Sequence, residues 1–301
     1  MLVHGRRYRE VMYAMIGSYM DESFDTPPNH GIFAAGGIIG RGIPVFELER
    51  RWEKLLKRPD INIGYFKASE CQAGKKQFRK FVSDPDNITP EERAKLDSIS
   101  LEFLDAIANM PFEKNGSLVV AGIGVIQEDF YEVIKDDYAR SILGKSPFFL
   151  AYHLAMIQCA WSMKQMHKDM PHLDDSVSFV CDECEEHSEE SYPAYINLKK
   201  QNPNASLYMG TYSSEDEKKC YPIQAADAVI YEIRRAFHIA LGQRKEALRK
   251  QFNILSDTQV MFLMQQCEKK NLLHIVATHK PGEPFKLDEI MDQEFNENIN
   301  F

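Results

Sequence analysis

The hydrophobic positions along the chain follow two periodicities, which predict strands and helices in alternation. Mostly apolar runs that are typical of buried strands cover residues 12–20, 31–40, 116–126, 176–183 and 205–212. The sequence DTPPNH between the first two runs favours a turn, so these runs are predicted to pair as an antiparallel hairpin. Patterns that favour helices cover residues 44–58, 77–82, 90–110, 146–170, 188–201 and 221–241.

The order of these elements predicts the fold class. A hairpin is followed by helices, a strand, a long apolar helix, and then a strand, a helix, a strand and a helix. This order is typical of an α/β fold with a mixed β-sheet flanked by helices. We interpret residues 1–10 as an N-terminal tail, 11–280 as a single domain with helical insertions, and 281–301 as an acidic C-terminal tail.

Composition and charge narrow the classes of partner. The 301 residues are 44% hydrophobic and carry a formal net charge of -9, which is ordinary for a globular protein. This charge argues against a broad basic surface for nucleic acid but allows a local basic groove. No apolar run is long enough for a bilayer, and the N-terminus has no clean signal-peptide cleavage site, so a cytoplasmic location is predicted. The six scattered cysteines are then expected to be free thiols.

Two apolar runs lead directly into acidic residues. The first run continues into Asp21 and Glu22, and the run at 176–183 contains Asp182 after its apolar residues. Alternation along a strand places Asp21 and Glu22 on opposite faces of the sheet. If the two strands are neighbours, Asp21 and Asp182 lie side by side at their carboxyl ends, where α/β sheets bind ligands.

Two further acids can join this pair. Asp227 lies on a predicted helix between alanines, which allow close packing against a sheet and leave its carboxylate poorly solvated. Glu70 follows an aromatic pair and precedes a helix. Converging carboxylates repel one another, and a divalent cation with a preference for hard oxygen ligands, Mg²⁺ or Mn²⁺, relieves that repulsion.

A simpler interpretation treats each acid as a solvated strand end or an exposed helix residue. For any one acid alone this interpretation is favoured. For Asp21, Asp182 and Asp227 together, the spacing leaves the two interpretations evenly balanced.

Several short motifs resemble a known family. YMDESFD, the following strand IFAAGGIIG, then YFKASE, FVCDE and SSEDEKKCYPIQAADAVIYEIRR are similar to the prokaryotic and phage family called domain of unknown function 3800. That family combines a first strand ending in D-E-S, a later strand ending in Asp, and a late Ser followed by a helix that opens with Q-x-A-D. The resemblance covers about residues 12–237, with Phe24 standing where the family commonly has Gly.

The resemblance implies a ribonuclease-H-like fold and an acidic site. The matching positions that it implies for catalysis or metal binding are Asp21, Glu22, Glu70, Asp182 and Asp227. Gln224 and Ser213 or Ser214 match the positions beside them, and we take Gln224 and Ser214 as candidate substrate-binding residues. A role in defence or mobile elements is implied by the resemblance alone.

Basic residues suggest where nucleic acid would run. Lys75 and Lys76, with Arg79 and Lys80, form a local basic strip after Glu70 that can contact phosphates, although a solvated helix face explains it as well. Two functions remain open. One is a Mg²⁺- or Mn²⁺-dependent nuclease that hydrolyses phosphodiesters, and the other is a non-catalytic ribonuclease-H-like module that binds a protein or nucleic acid.

Overall fold

The computed structural model describes residues 16–25, 31–110, 118–169, 176–183, 188–201, 206–256 and 261–280. Both predicted tails, 1–10 and 281–301, lie outside these residues, as do the first four positions of the first predicted strand.

The strands form one six-stranded mixed sheet in the order β5-β4-β1-β2-β3-β6. Their bounds are β1 Ile16–Phe24, β2 Ile32–Arg41, β3 Val119–Ile126, β4 Val177–Asp182, β5 Met209–Glu215 and β6 Met261–Cys267. β2 runs antiparallel to β1 and β3, whereas β4 is parallel to β1 and to β5, and β6 is parallel to β3. The carboxyl ends of β1, β4 and β5 therefore lie at one edge of the sheet.

Helices cover both faces of the sheet. On one face lie α1 Gly42–Leu56, α2 Ala68–Ala73, α3 Pro90–Ala108, α8 Tyr221–Ala240 and α9 Lys250–Ser256. On the other lie α4 Gln127–Val133, α5 Asp137–Leu143, α6 Pro147–Asp169, α7 Ser188–Gln201 and α10 Lys269–Thr278. Each face has its own hydrophobic core, so the central strands are buried on both sides.

Helix α8 packs unusually close to the sheet. Its side chains at Ala225, Ala226 and Ala228 are small and buried, and Gly37 of β2 lies beneath them. A Cβ atom on Gly37 would lie 2.6 Å from the Cβ of Ala226 and 2.2 Å from the carbonyl oxygen of Tyr19. Glycine at this position therefore brings the helix close to β1, and this position fixes the height of Asp227 above the sheet.

The α/β class, the mixed sheet and the position of β1 beside β4 are as predicted. Three expectations were wrong in detail. β1 does not end at Met20 but continues to Phe24, because Asp21 and Glu22 pair in register with Gly36 and Ala35 of β2. Residues Lys76–Phe81 form a 3₁₀ helix instead of an α-helix, which is typical of so short a segment.

The third error concerns missing elements. The apolar pattern did not predict β6, where two glutamines follow the apolar start of the strand, and it did not predict the short helices α2, α4, α5, α9 and α10.

Two properties follow for the described residues. None of their helices is long and apolar enough to cross a membrane. The five cysteines among them are all free, as expected, and Cys181 is completely buried.

Candidate metal centre

Asp21 and Glu22 point to opposite faces of the sheet, as the alternation predicted. The Glu22 carboxylate accepts a hydrogen bond from the hydroxyl of Tyr152 on α6 at 2.8 Å. Asp21 lies on the side of α8 and is only 2% exposed. One of its oxygens, Oδ1, accepts a hydrogen bond from the backbone N–H of Glu22 at 2.8 Å.

Three carboxylates meet at the carboxyl end of β1. Ligand oxygens of Asp21, Glu217 and Asp227 all lie within 4.8 Å of one another. Asp227 comes from the buried side of α8 and accepts a hydrogen bond from the backbone N–H of Ala68 at 2.6 Å. Glu217 comes from the turn between β5 and α8, and its side chain is 12% exposed. We call these three residues the acidic triad.

Asp182 lies next to the acidic triad. The parallel register pairs Met20 with Cys181, so Asp21 and Asp182 follow at equivalent positions on adjacent strands. The carboxylate of Asp182 accepts a hydrogen bond from the backbone N–H of Glu217 at 3.2 Å. Asp182 therefore holds the turn that carries Glu217, and it also brings a fourth negative charge to the site.

One cation lies among these acids. The ammonium of Lys67 donates a hydrogen bond to Glu217 and forms an ion pair with it. Burial lowers the pKa of Lys67, but the surrounding carboxylates, led by Asp227 and Asp21, outweigh burial and raise this pKa above its ordinary value. Within the part of the chain that the structure describes, a single ammonium thus faces several carboxylates, which leaves the site with excess negative charge when all are ionised.

The pKa values of the acids reflect their burial and this crowding of negative charge. Burial, together with the Glu22 and Asp227 carboxylates, raises the pKa of Asp21 well above its usual range. Burial also raises the pKa of Asp227 to about 6, although Lys67 opposes the shift. Burial and the carboxylates of Glu217 and Glu22 raise the pKa of Asp182 to about 7. All three acids would therefore be stabilised by additional positive charge.

The triad fits a hard divalent cation. Oδ2 of Asp21 is buried and has no hydrogen-bond partner within the described residues, which is costly for a carboxylate oxygen. Carboxylate oxygens are the donors that Mg²⁺, Mn²⁺ and Ca²⁺ bind, and these come from three separate elements of the fold. The residues of the site can therefore hold a metal ion.

Gln224 holds the framework around the site. Its side chain is fully buried on α8, and its oxygen accepts hydrogen bonds from Trp52 Nε1 and from the backbone N–H of Phe66, both at 2.9 Å. Its amide nitrogen donates to the carbonyl of Glu217 at 2.9 Å. Gln224 thus links the segment that carries Lys67 to the turn that carries Glu217, which is a positioning role.

Glu70 lies further from the centre of the site. Its carboxylate is buried and accepts a hydrogen bond from the Tyr65 hydroxyl at 3.1 Å. It also forms an ion pair of 2.8 Å with Lys76, whose side chain is otherwise exposed, and Lys75 beside it is exposed. Glu70 still contributes to the pKa of Asp227, so the two acids share one electrostatic environment.

The serine positions separate according to the strand register. Ser214 pairs with Cys181, whose side chain is in the core on the α6 side of the sheet. Ser213 pairs with Val180 and shares the face of Asp182. The register therefore places Ser213, and not the predicted candidate Ser214, on the face of the acids.

Glu217 was not predicted as a site residue. It stands in the sequence SSEDEKK, where three acids are consecutive and no periodicity distinguishes them. What selects Glu217 is its contact with Lys67, 150 residues earlier in the chain, and the hydrogen bond from Gln224 to its carbonyl. A sequence signal was available only in the proximity of SSEDEKK to the Q-A-A-D helix.

No protein-family model matches the chain, and neither a curated protein nor a solved structure matches it. Functional interpretation therefore depends on the geometry of the acids and on the motifs quoted above.

Proposed function

We propose that the chain is a divalent-metal-dependent nuclease that hydrolyses phosphodiesters at the acidic triad. The observation that carries the proposal is the buried, unpartnered Oδ2 of Asp21 within 4.8 Å of oxygens from Glu217 and Asp227. A cluster of buried acids with one counter-ion costs folding energy, and binding of cations recovers that energy. Mg²⁺ and Mn²⁺ are the proposed ions because they suit carboxylate oxygens and phosphate substrates.

The position of each residue would determine its role in the site. Asp21 is fixed by β1 and Asp227 by α8, so both would hold a cation in a rigid place, and Glu217 would complete the ligand set from the turn. Asp182 would orient Glu217 through its backbone N–H. When bound, divalent ions on such a cluster activate a water molecule and stabilise the leaving oxygen of a phosphodiester.

The proposal includes a ribonuclease-H-like arrangement. Its support is that β1 is central, forms a hairpin with β2, and runs parallel to β4, so that two acid-bearing strand ends are adjacent. The nucleic acid would approach along the local basic strip at Lys75 and Lys76, where Lys76 is partly neutralised by Glu70. Association is expected to be weak and sensitive to salt, because the chain as a whole is acidic.

One observation favours the second candidate, a non-catalytic binding module. Lys67 already supplies a positive charge to the acidic triad, so the cluster can exist as an internal ion-pair network without a metal. In that case the same fold would bind a protein or a nucleic acid but cleave nothing.

The test combines metal binding with cleavage. Wild type, Asp21→Asn and Glu217→Gln are assayed against single- and double-stranded DNA and RNA, with Mn²⁺ or with EDTA, and Mn²⁺ binding is measured by calorimetry. We expect Mn²⁺-dependent cleavage by the wild type alone, because each substitution removes a ligand charge but keeps the side-chain size.

The contrary outcomes are distinct. Equal cleavage by wild type and Asp21→Asn would indicate a contaminating nuclease. Absence of both cleavage and Mn²⁺ binding in the wild type would favour the binding module.

A further inference from the structure

A cavity of about 380 Å³ lies beside the acidic triad, on the same face of the sheet. Its walls come from β1, β4 and α1, and they include Gly17, Tyr19, Phe46, Glu49, Ser178 and Val180. This volume is within the range of small-molecule sites in proteins, roughly 300–1,000 Å³.

The sequence of β1 builds the floor of the cavity. A Cβ atom on Gly17 would lie 2.7 Å from the ring of Tyr19, so the absence of a side chain at Gly17 lets this ring lie along the strand. Tyr19 precedes Asp21 by two residues, and Val180 precedes Asp182 by two residues on the adjacent strand. Two residues along a strand span roughly 6.6 Å, so the nearest wall of the cavity lies about that far from the acids on the same face.

The lining defines the chemistry of a ligand. Most of it is apolar or aromatic, and no Lys or Arg is among the described residues that line it, so the cavity does not suit a phosphate. Phe46 is 47% exposed and offers a ring at the wall of the cavity.

The polar group that stands out is Glu49. Its carboxylate is half-buried, and no described residue pairs with it as a cation or donates a hydrogen bond to it. Burial raises the pKa of Glu49, and no opposite charge counters that effect. An acceptor-only group in an apolar wall favours a flat ligand that presents hydrogen-bond donors along one edge.

We propose that this cavity binds a guanine base of the nucleic acid whose phosphodiester is held at the acidic triad. The placement of the phosphate rests on the proposed nuclease function, whereas the binding of the base in the cavity does not. Tyr19 of the cavity wall and Asp21 of the acidic triad are two residues apart on β1, a spacing of roughly 6.6 Å, so a base in the cavity and a phosphate at the triad can belong to one nucleotide. The aromatic rings of Tyr19 and Phe46 supply faces on which a base can stack.

Guanine follows from the geometry of a carboxylate. The Watson–Crick edge of guanine carries two adjacent donors, N1–H and the N2 amino group, which match the two oxygens of Glu49. Adenine, cytosine and uracil each offer one donor on that edge and place an acceptor beside it, which a carboxylate repels. Such a bidentate pair discriminates against the wrong base by roughly tenfold to a hundredfold.

The test uses free nucleosides in EDTA, so that neither metal nor cleavage is required. Guanosine, adenosine, cytidine and uridine are titrated against wild type, Glu49→Gln and Glu47→Gln by ligand-observed NMR, which detects weak binding. Glu47 is the matched control because it lies on the same helix, is 39% exposed and pairs with Arg50. We expect the wild type and Glu47→Gln to prefer guanosine by at least about tenfold, and Glu49→Gln to lose that preference.

The outcomes separate this inference from the proposed function. Absence of guanosine binding, or equal binding of all four nucleosides, would overturn the guanine site even if Mn²⁺-dependent cleavage is observed. An unchanged preference in Glu49→Gln would overturn it as well. Guanosine binding that depends on Glu49, in a protein that cleaves nothing, would keep the base site and reject the nuclease.

Discussion

Asp21, near the end of β1, and Asp25, directly after that strand, are carboxylates with opposite electrostatic surroundings. Asp25 accepts hydrogen bonds from Arg234, from His238 Nε2 at 2.7 Å and from the backbone N–H of Ile32 at 3.0 Å. Burial by itself would raise the pKa of Asp25, but the contacts with His238 and Arg234 lower it overall. Asp21, by contrast, has a buried oxygen without a partner and a strongly raised pKa.

The difference separates a carboxylate that the protein itself neutralises from one that can hold a cation. Around Asp25 the protein supplies enough positive charge and donors to satisfy both oxygens. Around Asp21 the described residues supply further carboxylates and one lysine, so that negative charge exceeds positive charge there. Burial alone does not distinguish the two residues; the balance of charge around them does.

The largest expected effect is on metal affinity. We expect Asp21→Asn to weaken Mn²⁺ binding at least about a hundredfold, because it removes a ligand charge from the centre of the cluster. Asp25→Asn removes a charge from the same strand end, but that charge already pairs with Arg234 and His238. Mn²⁺ affinity should therefore change by less than about threefold. Calorimetry on both variants measures this contrast. Similar losses in both would mean that Asp21 is not a ligand.

The second effect is on stability, and the two residues should act in opposite directions. Asp25→Ala leaves the Arg234 guanidinium, which is 13% exposed, without its carboxylate, so the free energy of unfolding should fall by about 2 to 3 kcal/mol. Asp21→Asn relieves repulsion among acids and should leave the metal-free protein as stable as the wild type or more stable. Urea unfolding in EDTA gives both values. A loss of stability in Asp21→Asn equal to that in Asp25→Ala would remove the distinction.

The third effect is the pH dependence of the metal-free protein. Asp21, Asp182 and Asp227 have raised pKa values, about 7 for Asp182 and about 6 for Asp227, so the folded state binds more protons than the unfolded state. Stability should therefore fall as the pH rises from about 4 to about 7.

The lowered pKa of Asp25 works in the other direction. Its contribution is present above the unfolded pKa of about 4 and is lost as the pH falls through the folded value. Chemical denaturation in EDTA at several pH values measures both the fall in stability towards pH 7 and the loss of stability at low pH. In Asp21→Asn the decline towards pH 7 should be shallower, and a profile identical to that of the wild type would argue against the coupling of these acids.

The smallest effect concerns the internal counter-ion. Lys67→Gln should destabilise the metal-free protein by about 1 kcal/mol and enlarge the rise in Tm on adding Mn²⁺, because the acids lose their only neighbouring ammonium among the described residues. Lys76→Gln is the control, since its ion pair with Glu70 involves an exposed side chain and is worth about 0 to 1 kcal/mol. Thermal unfolding with and without Mn²⁺ compares the two. An unchanged Mn²⁺ response in Lys67→Gln would mean that Lys67 and the cation do not share the same carboxylates.

Much of the fold was predictable because it is encoded in local periodicity. The apolar runs gave β2, β3 and β4 to within a few residues, and Pro90 and Pro222 marked the starts of α3 and α8. The end of β1 was not predictable in the same way. Asp21, Glu22 and Ser23 near its end are polar, and they belong to the strand only because β2 continues opposite them.

The residues of the site also differ in whether local sequence could predict them. Asp21 and Asp227 could be identified because each lies in an apolar context that makes a lone carboxylate costly. Glu217 could not, since its neighbours in sequence are charged and its position depends on Lys67 and Gln224, which are distant in the chain or buried beneath it. The buried, hydrogen-bonded state of Gln224 likewise could not be predicted from a motif that places it beside the acid.

The close contact between Gly37 and Ala226 has a consequence for ion size. Because α8 rests directly on the backbone of β1 and β2, the gap between Asp21 and Asp227 is set by packing and cannot widen easily. Mg²⁺ binds oxygen at about 2.1 Å and Ca²⁺ at about 2.4 Å, with more ligands in looser geometry. A gap held by a sheet and a helix should therefore favour the smaller ions over Ca²⁺.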